Sequence, residues 1–396
     1  MSIRLDQTSV FTHLACTRCA KQKSAHHLIG LCECGGPLFA HYDLPALRRS
    51  WPRTALQTAE ASLWRYAPIL PVFHRENRVA LGEGWTPLLP APKLAAHFKL
   101  QNLWIKDESF NATLSFKARG MSLAVSRAKE LGVRRVALPS AGNAGSAAAA
   151  YAAGAGMVAH VFMPVDVPQA FQDECNFYGA KLQLIDGLIT DCAKHVIAGK
   201  EREGWFDLST LKEPYRVEGK KTMGYELAEH FSWELPEVIV YPTGGGTGLI
   251  GMWKAFEEME QLGWIDSRRP RMVAIQSNGC APIVRAFEQN LDHAPEWHNA
   301  ATVACGLRVP RAVGDFLMLR AIRESQGCAV TVAEERIAPA TYEYSSATGI
   351  LLCPEGAAAL EATKQLAASG WIRPEERVVV FNTGSGLKYA DLIRRS

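Results

Sequence analysis

The sequence predicts an α/β protein with two open, twisted sheets flanked by helices, preceded by a small zinc-ribbon-like segment. Three observations carry that expectation. Through most of the chain, short β-branched runs alternate with loops and helical stretches, the rhythm of parallel strands joined by crossover helices. Three of those runs end in loops rich in Gly, Ser, Thr and Asn. The amino-terminal segment instead carries four cysteines in two close pairs. A chain of 396 residues exceeds one small core, and at roughly 100–200 residues per domain it divides into two domains plus an accessory piece.

Composition narrows the function classes. Hydrophobic residues make up 48% and charged ones 21%, values of an ordinary globular protein. No apolar run reaches the roughly 18–20 residues of a bilayer span, so no membrane partner is expected. Met1-Ser2-Ile3-Arg4-Leu5-Asp6 lacks the apolar core of a leader peptide, which makes the cytoplasm the expected compartment. A net charge of +3 without a basic, aromatic-interleaved stripe argues against nucleic acid and leaves small anionic ligands in scope. Cys175, Cys192, Cys280, Cys305, Cys328 and Cys353 are unevenly spaced and read as reduced, mostly buried thiols.

In chain order, Cys16-Thr17-Arg18-Cys19 and Cys32-Glu33-Cys34-Gly35-Gly36 come first. Cys16, Cys19, Cys32 and Cys34 would place four thiolates around one tetrahedral zinc ion, although the second pair is one residue shorter than usual. All four positions would be filled by protein, so the role is structural. This ribbon is assigned to residues 1–45. The proline- and tryptophan-punctuated stretch from Asp43 to Leu81 reads as a connecting arm, followed by the glycine turn and Thr-Pro step of Leu81 to Leu88. Leu103 to Lys106 is a strand, and Lys117 opens the next helix. The strand Arg135 to Pro139 ends in Ser140-Ala141-Gly142-Asn143-Ala144-Gly145-Ser146, ahead of a helix from Ala147 to Ala153. With the strands Met157–Met163 and Lys181–Ile185, this makes a small domain over 126–207. The strand Glu237 to Tyr241 feeds Pro242-Thr243-Gly244-Gly245-Gly246-Thr247-Gly248 and a helix from Leu249 to Glu260. The last strand, Arg377 to Phe381, feeds Asn382-Thr383-Gly384-Ser385-Gly386. Residues 46–125 and 208–396 form the large domain.

Three of these features carry chemistry. An amine attacks a carbonyl only when unprotonated, so a lysine with a reference pKa of about 10.4 must be desolvated or set beside another cation. Lys117, between Phe116 and Arg119, meets that description. The loop from Ser140 to Ser146 offers backbone N–H groups at a helix N-terminus and suits a carboxylate. Gly246 to Gly251 matches the dinucleotide pattern G-x-G-x-x-G, but the following strand, Met272 to Ile275, ends in Gln276-Ser277 rather than the acid that would hold a ribose. A loop of four glycines and two threonines suits a single phosphate monoester better. Phosphate cup, amine and anion loop together point to pyridoxal phosphate.

Gly82-Glu83-Gly84-Trp85-Thr86-Pro87-Leu88, Ser115-Phe116-Lys117-Ala118-Arg119-Gly120, Ser140-Ala141-Gly142-Asn143-Ala144, Pro242 to Gly248 and Thr383-Gly384-Ser385-Gly386-Leu387-Lys388 resemble, in order, the motifs of the threonine synthase family. That family belongs to the fold type II, tryptophan-synthase-β-like enzymes, and many members carry an amino-terminal cysteine ribbon. The resemblance implies that Lys117 joins the cofactor covalently and later moves protons. It implies that Asn143 meets the ring hydroxyl and that Gly244, Gly245, Gly246, Thr247 and Gly248 hold the phosphate. Thr383, or less readily Ser385, would face the pyridine nitrogen. Phe116 is a stacking neighbour of the cofactor or simply core. A homodimer is also implied by the resemblance.

The resemblance breaks at the substrate loops. Family members read Ser-Thr-Gly-Asn-Thr where this chain has Ala141 and Ala144, and Asn-Ser where it has Thr210-Leu211. Glu213 adds a charge where the family has an amide. Arg216 keeps the place of the phosphate-binding arginine, a guanidinium fork suited to that anion. Lys106, Lys212 or Lys220 could replace the missing donors. The reading that follows is a small-molecule lyase converting O-phospho-L-homoserine and water to L-threonine and phosphate, with Ser140, Ala141, Gly142, Asn143, Ala144, Arg216 and Lys106 at the substrate. The alternative within the same chemistry is β-elimination or β-replacement on another amino acid, by a serine or threonine dehydratase, a diaminopropionate ammonia-lyase or a cysteate-synthase-like enzyme. A non-catalytic binding protein is the alternative outside it.

Overall fold

The computed structural model describes residues 8–393. The start read for a leader, residues 1–6, lies outside the described residues. Ordered along the chain, the strands are β1 Phe11–Cys16, β2 Gln22–Ser24, β3 Leu38–Tyr42, β4 Leu88–Pro90, β5 Asn102–Asp107, β6 Arg135–Pro139, β7 Val158–Pro164, β8 Lys181–Ile185, β9 Phe206–Asp207, β10 Val238–Pro242, β11 Arg271–Ser277, β12 Cys328–Val332 and β13 Arg377–Asn382.

They form three sheets. The largest has the order β12-β11-β10-β13-β5-β4, parallel throughout except for the antiparallel edge pair β4 and β5. Its central strands are continuous apolar runs such as Val238-Ile239-Val240, buried on both faces because helices cover both. The second sheet, β8-β7-β6-β9, is wholly parallel. The third is the antiparallel ribbon β2-β1-β3. Between ribbon and sheets, the arm contributes the helix Leu44–Ser50 and several 3-10 turns.

Two helices begin earlier than the sequence predicts. They are Asn143–Gly154 and Thr247–Gln261, each starting inside its glycine loop. The physical reason is that the loop residues are themselves the first helical turn, where some N–H groups lack an intrahelical acceptor; that of Gly145 is taken by Ser140 Oγ, whereas those of Asn143, Ala144, Thr247 and Gly248 point to no described acceptor.

Helix Lys117–Glu130 crosses Arg216–His230 at unusually close range. A Cβ on Gly219 would lie 2.0 Å from the Arg119 carbonyl oxygen, and one on Gly120 would lie 2.9 Å from both the Arg216 carbonyl oxygen and Lys220 Nζ. Only glycine fits at these two positions. Beneath the crossing lies a fully buried charge network, in which Arg119 binds Glu108 at 2.6 Å and also Glu226, while Lys106 Nζ binds Glu226 at 2.8 Å and the Thr86 carbonyl. Each buried charge is thereby paired, as low-dielectric surroundings require.

Candidate active site

Lys117 starts its helix after a strained turn, because Thr113 and Leu114 have φ of 57° and 49°, a left-handed conformation that non-glycine residues adopt at a cost. The turn is held from the last loop. Ser385 N–H donates to the Leu114 carbonyl and Phe116 N–H to the Thr383 carbonyl, each at 3.0 Å, and Lys388 Nζ donates to the Thr113 carbonyl at 2.6 Å. These bonds fix Lys117 and Thr383 side by side.

A cavity of about 770 Å³ opens here between the two larger sheets. Its wall includes Phe116 and Lys117, the Pro139–Ala144 stretch, the five residues from Gly244 to Gly248, and Thr383. All three strand-end loops singled out in the sequence therefore meet at one site. The Lys117 amine makes no hydrogen bond or ion pair with any described residue and sits 4.2 Å from the centre of the Phe116 ring. Burial, reinforced by the Arg216 guanidinium and partly opposed by Glu355, brings its pKa down to about 7. The neighbouring cation is thus Arg216 rather than Arg119, which is neutralised by its two carboxylates. Lys220, whose Nζ donates to the Phe116 carbonyl, lies 4.6 Å from the same ring and is held well below the usual lysine range, chiefly by burial and then by Lys117.

Asn143 is oriented by its partners. Lys388 donates to its Oδ1 at 3.2 Å while being anchored on Glu174 at 2.7 Å, so the amide NH₂ is the donating end, with one N–H to Tyr389 Oη at 3.4 Å and the other left for a ligand. Ser140 Oγ accepts N–H bonds from Gly142 and Gly145 at 3.1 and 2.8 Å, which shapes the loop around it. The glycine loop is equally constrained. A Cβ on Gly244 would lie 2.2 Å from the Gly306 carbonyl, one on Gly246 (φ 75°) 2.0 Å from Met318 Sδ, and one on Gly248 2.0 Å from Tyr241 Oη. The loop is a cradle whose glycines sit where a side chain would collide with neighbouring groups.

Several sequence expectations are corrected by this geometry. Lys106 does not reach the cavity, because its side chain is fully buried in the charge network against Glu226. Arg216 is 2% exposed and absent from the cavity wall; its guanidinium donates to the Leu208 carbonyl at 2.6 Å, and its Nε has no partner among the described residues. Glu213 does not charge the cavity either. It is buried at the start of the helix, accepts the N–H groups of Tyr215 and Arg216, and burial pushes its pKa up to about 7. Ser385 caps a 3-10 turn through Leu387 N–H and stands outside the wall. Ala141 and Ala144 line the cavity, as their loop predicts.

Other contributors were not visible in the sequence. Glu355 lines the cavity with Oε1 bound by the Gly306 N–H at 2.7 Å and the Tyr389 hydroxyl at 2.9 Å, leaving Oε2 unpartnered among the described residues. The loop from Cys305 to Val313 supplies another wall, pinned to the second sheet by the Arg308–Asp166 ion pair at 2.6 and 2.9 Å.

A family model described as pyridoxal-phosphate dependent enzyme matches residues 79–384. Threonine synthase of Methanocaldococcus jannaschii is 34% identical over 382 residues, covering 96% of this chain and 94% of the relative. Threonine synthase of Methanosarcina acetivorans is 35% identical, covering 95% and 92%. The chain belongs to the threonine synthase family of pyridoxal-phosphate dependent enzymes. Solved structures similar to it include maize serine racemase, with a TM-score of 0.67 at 21% identity over 78% of this chain and 91% of that one. Diaminopropionate ammonia lyase from Escherichia coli gives 0.68 at 17% identity, over 80% and 88%. Likeness at that distance establishes the shared fold.

The groups that line the cavity fit pyridoxal phosphate. An amine that is half neutral near pH 7 matches an aldehyde, and a glycine cradle at a helix N-terminus matches a phosphate ester. The four ribbon thiols are also clustered, their sulfurs all within 4.8 Å, with Cys16–Cys34 at 3.4 Å, Cys19–Cys34 at 3.5 Å and Cys19–Cys32 at 3.7 Å. No helix among the described residues is long and apolar enough to cross a membrane.

Proposed function

We propose that the protein converts O-phospho-L-homoserine and water to L-threonine and phosphate. The observation that carries this reading is the unpaired, near-neutral Lys117 amine beside the phosphate cradle, in a chain related over nearly its full length to threonine synthases. Pyridoxal phosphate, when bound, supplies an aldehyde for a primary amine and a conjugated ring that delocalises the electron pair of a deprotonated carbon.

The chain's own residues do the rest. The N–H groups from Gly244 to Gly248 hold the phosphate ester, Asn143 donates to the ring hydroxyl, and Thr383 faces the ring nitrogen with a neutral hydroxyl. The Ser140–Ala144 loop receives the substrate carboxylate at the start of helix Asn143–Gly154. Lys117 Nζ takes the α-proton and afterwards serves as proton carrier: a β-proton leaves, phosphate departs from the γ-carbon, a proton delivered there makes the methyl group, water adds at the β-carbon and a proton returns to the α-carbon. Arg216 acts on Lys117 by its charge rather than by gripping substrate.

The ribbon sulfurs suit zinc, since Zn–S bonds of about 2.3 Å in a tetrahedron put sulfurs about 3.8 Å apart. That metal would be structural. A homodimer in the cytoplasm, with domains at 46–125 plus 208–396 and at 126–207, completes the proposal. The test is to incubate holoenzyme with a panel of amino acids and score phosphate, threonine, ammonia and 2-oxo acid. Equimolar phosphate and threonine from phosphohomoserine are expected; ammonia and a 2-oxo acid from serine, threonine or diaminopropionate, without phosphate release, would replace this substrate by another.

A further inference from the structure

The ribbon is not a remote accessory. Arg18, Leu31 and Gly35 form part of the wall of the active-site cavity. The ribbon is locked onto the body from behind, where Tyr42 Oη donates to the buried Glu218 at 2.7 Å. It also touches the substrate loop, since a Cβ on Gly30 would lie 2.8 Å from the Lys212 carbonyl.

Four cations line this cavity besides Lys117: Arg18, Lys212, Arg308 and Arg311. Arg308 is committed to Asp166. The side chains of Arg18, Lys212 and Arg311 have no ion pair or hydrogen bond with any described residue. At the same time, the positions expected from the sequence to hold a phosphorylated substrate offer fewer donors. Ala141 and Ala144 offer no hydroxyl, and Arg216 is turned away into the protein. A dianionic group entering this cavity would find free cationic donors in Arg18 of the ribbon, Lys212 beside it and Arg311 on the same wall.

Arg18 is also held in place. It sits between two of the clustered thiols, its N–H directed to Cys16 Sγ at 3.4 Å, and its Cβ and Cγ lie against Gly36, where a Cβ would stand 3.2 Å from each. Its guanidinium rests 4.9 Å over the Phe316 ring. A ring face supports the cation without consuming any of its five N–H donors, which leaves them for an anion.

We propose that Arg18, presented by the cysteine ribbon, is a specificity-determining residue that grips the phosphate end of the substrate together with Lys212 and Arg311. The proposal rests on the phosphorylated-substrate reading above and assigns the ribbon a part in substrate choice. A ribbon without its cysteine cluster would lose Arg18 from the cavity wall even if the sheets stayed folded.

Two measurements on the holoenzyme test it. One is calorimetric titration with inorganic phosphate; the other is phosphohomoserine kinetics. In Arg18→Ala, phosphate affinity is expected to fall and KM to rise, each by about tenfold, with kcat and the visible cofactor band unchanged. Arg18→Lys keeps a charge on a similar stem and should stay within about threefold of wild type, and Arg311→Ala should repeat the KM effect without touching the ribbon. Phosphate that does not bind the wild-type holoenzyme, or affinity and KM that stay within about twofold in Arg18→Ala, would overturn the proposal. A wild-type enzyme that binds phosphate through Arg18 yet releases none from phosphohomoserine would overturn the assigned reaction and leave the anion site standing.

Discussion

Lys117 is expected to react as a neutral amine at a pH where an ordinary lysine is almost wholly protonated. Its pKa falls from 10.5 to about 7, so at pH 7 about half of the apo population carries a free base; an unperturbed lysine would offer about one molecule in 3,000. Burial is the larger cause and Arg216 the second. The depressed value fixes the sign. Below about pH 7 the amine is protonated and capture of pyridoxal phosphate slows, whereas above about pH 8 the rate should level off. Stopped-flow absorbance on apoenzyme mixed with pyridoxal phosphate from pH 6 to 9, normalised to a free lysine side chain measured in parallel, reads this directly. Arg216→Met removes the cation but leaves the burial, so its midpoint should move above 7 and stay below that of ordinary lysine. A rate that keeps climbing through pH 9 in the wild type would refute the depressed amine.

Further outcomes follow from the packing. Gly219→Ala forces a Cβ to 2.0 Å from the Arg119 carbonyl and should destabilise the apo form by about 1–3 kcal/mol in thermal melts, with weaker cofactor retention because Lys117 heads the displaced helix. Lys106→Met leaves the buried carboxylates of Glu108 and Glu226 to share the single charge of Arg119 and should lower stability by about 3 kcal/mol while KM holds; a raised KM at unchanged stability would return Lys106 to the substrate. Asp166→Asn breaks a partly exposed pair worth about 0–1 kcal/mol, so KM should change less than about fivefold. Metal analysis should find one zinc per chain, lost in Cys16→Ser; four freely titrating ribbon thiols with no metal would exclude the ion.

What the sequence made legible were features written locally. β10 and β13 are unbroken apolar runs followed by glycine loops, and both elements and loops lie within a residue or two of their expected bounds. The placement of Asn143 and Thr383 on the cavity wall was readable for the same reason, each standing just past a strand end, and that of Lys117 from its neighbours Phe116 and Gly120. What failed were residues whose surroundings come from distant segments. Lys106 and Arg216 are cations of the expected type, but Glu226, 120 residues along the chain, turns the first inward, and the Leu208 carbonyl, eight residues before it, holds the second inside a fold that buries it. No local pattern could place Glu355 or Arg18 at the cavity. Glu355 gets there because its helix abuts β13, and Arg18 because the ribbon folds back over a site built mostly from residues more than 100 positions later.

The most direct measurement of the central claim is borohydride trapping of the holoenzyme followed by peptide mass analysis. Lys117 is expected to carry the pyridoxal phosphate group, with Lys220, its more deeply buried neighbour at the Phe116 ring, unmodified. A cofactor found on Lys220, or on no lysine at all, would contradict the account.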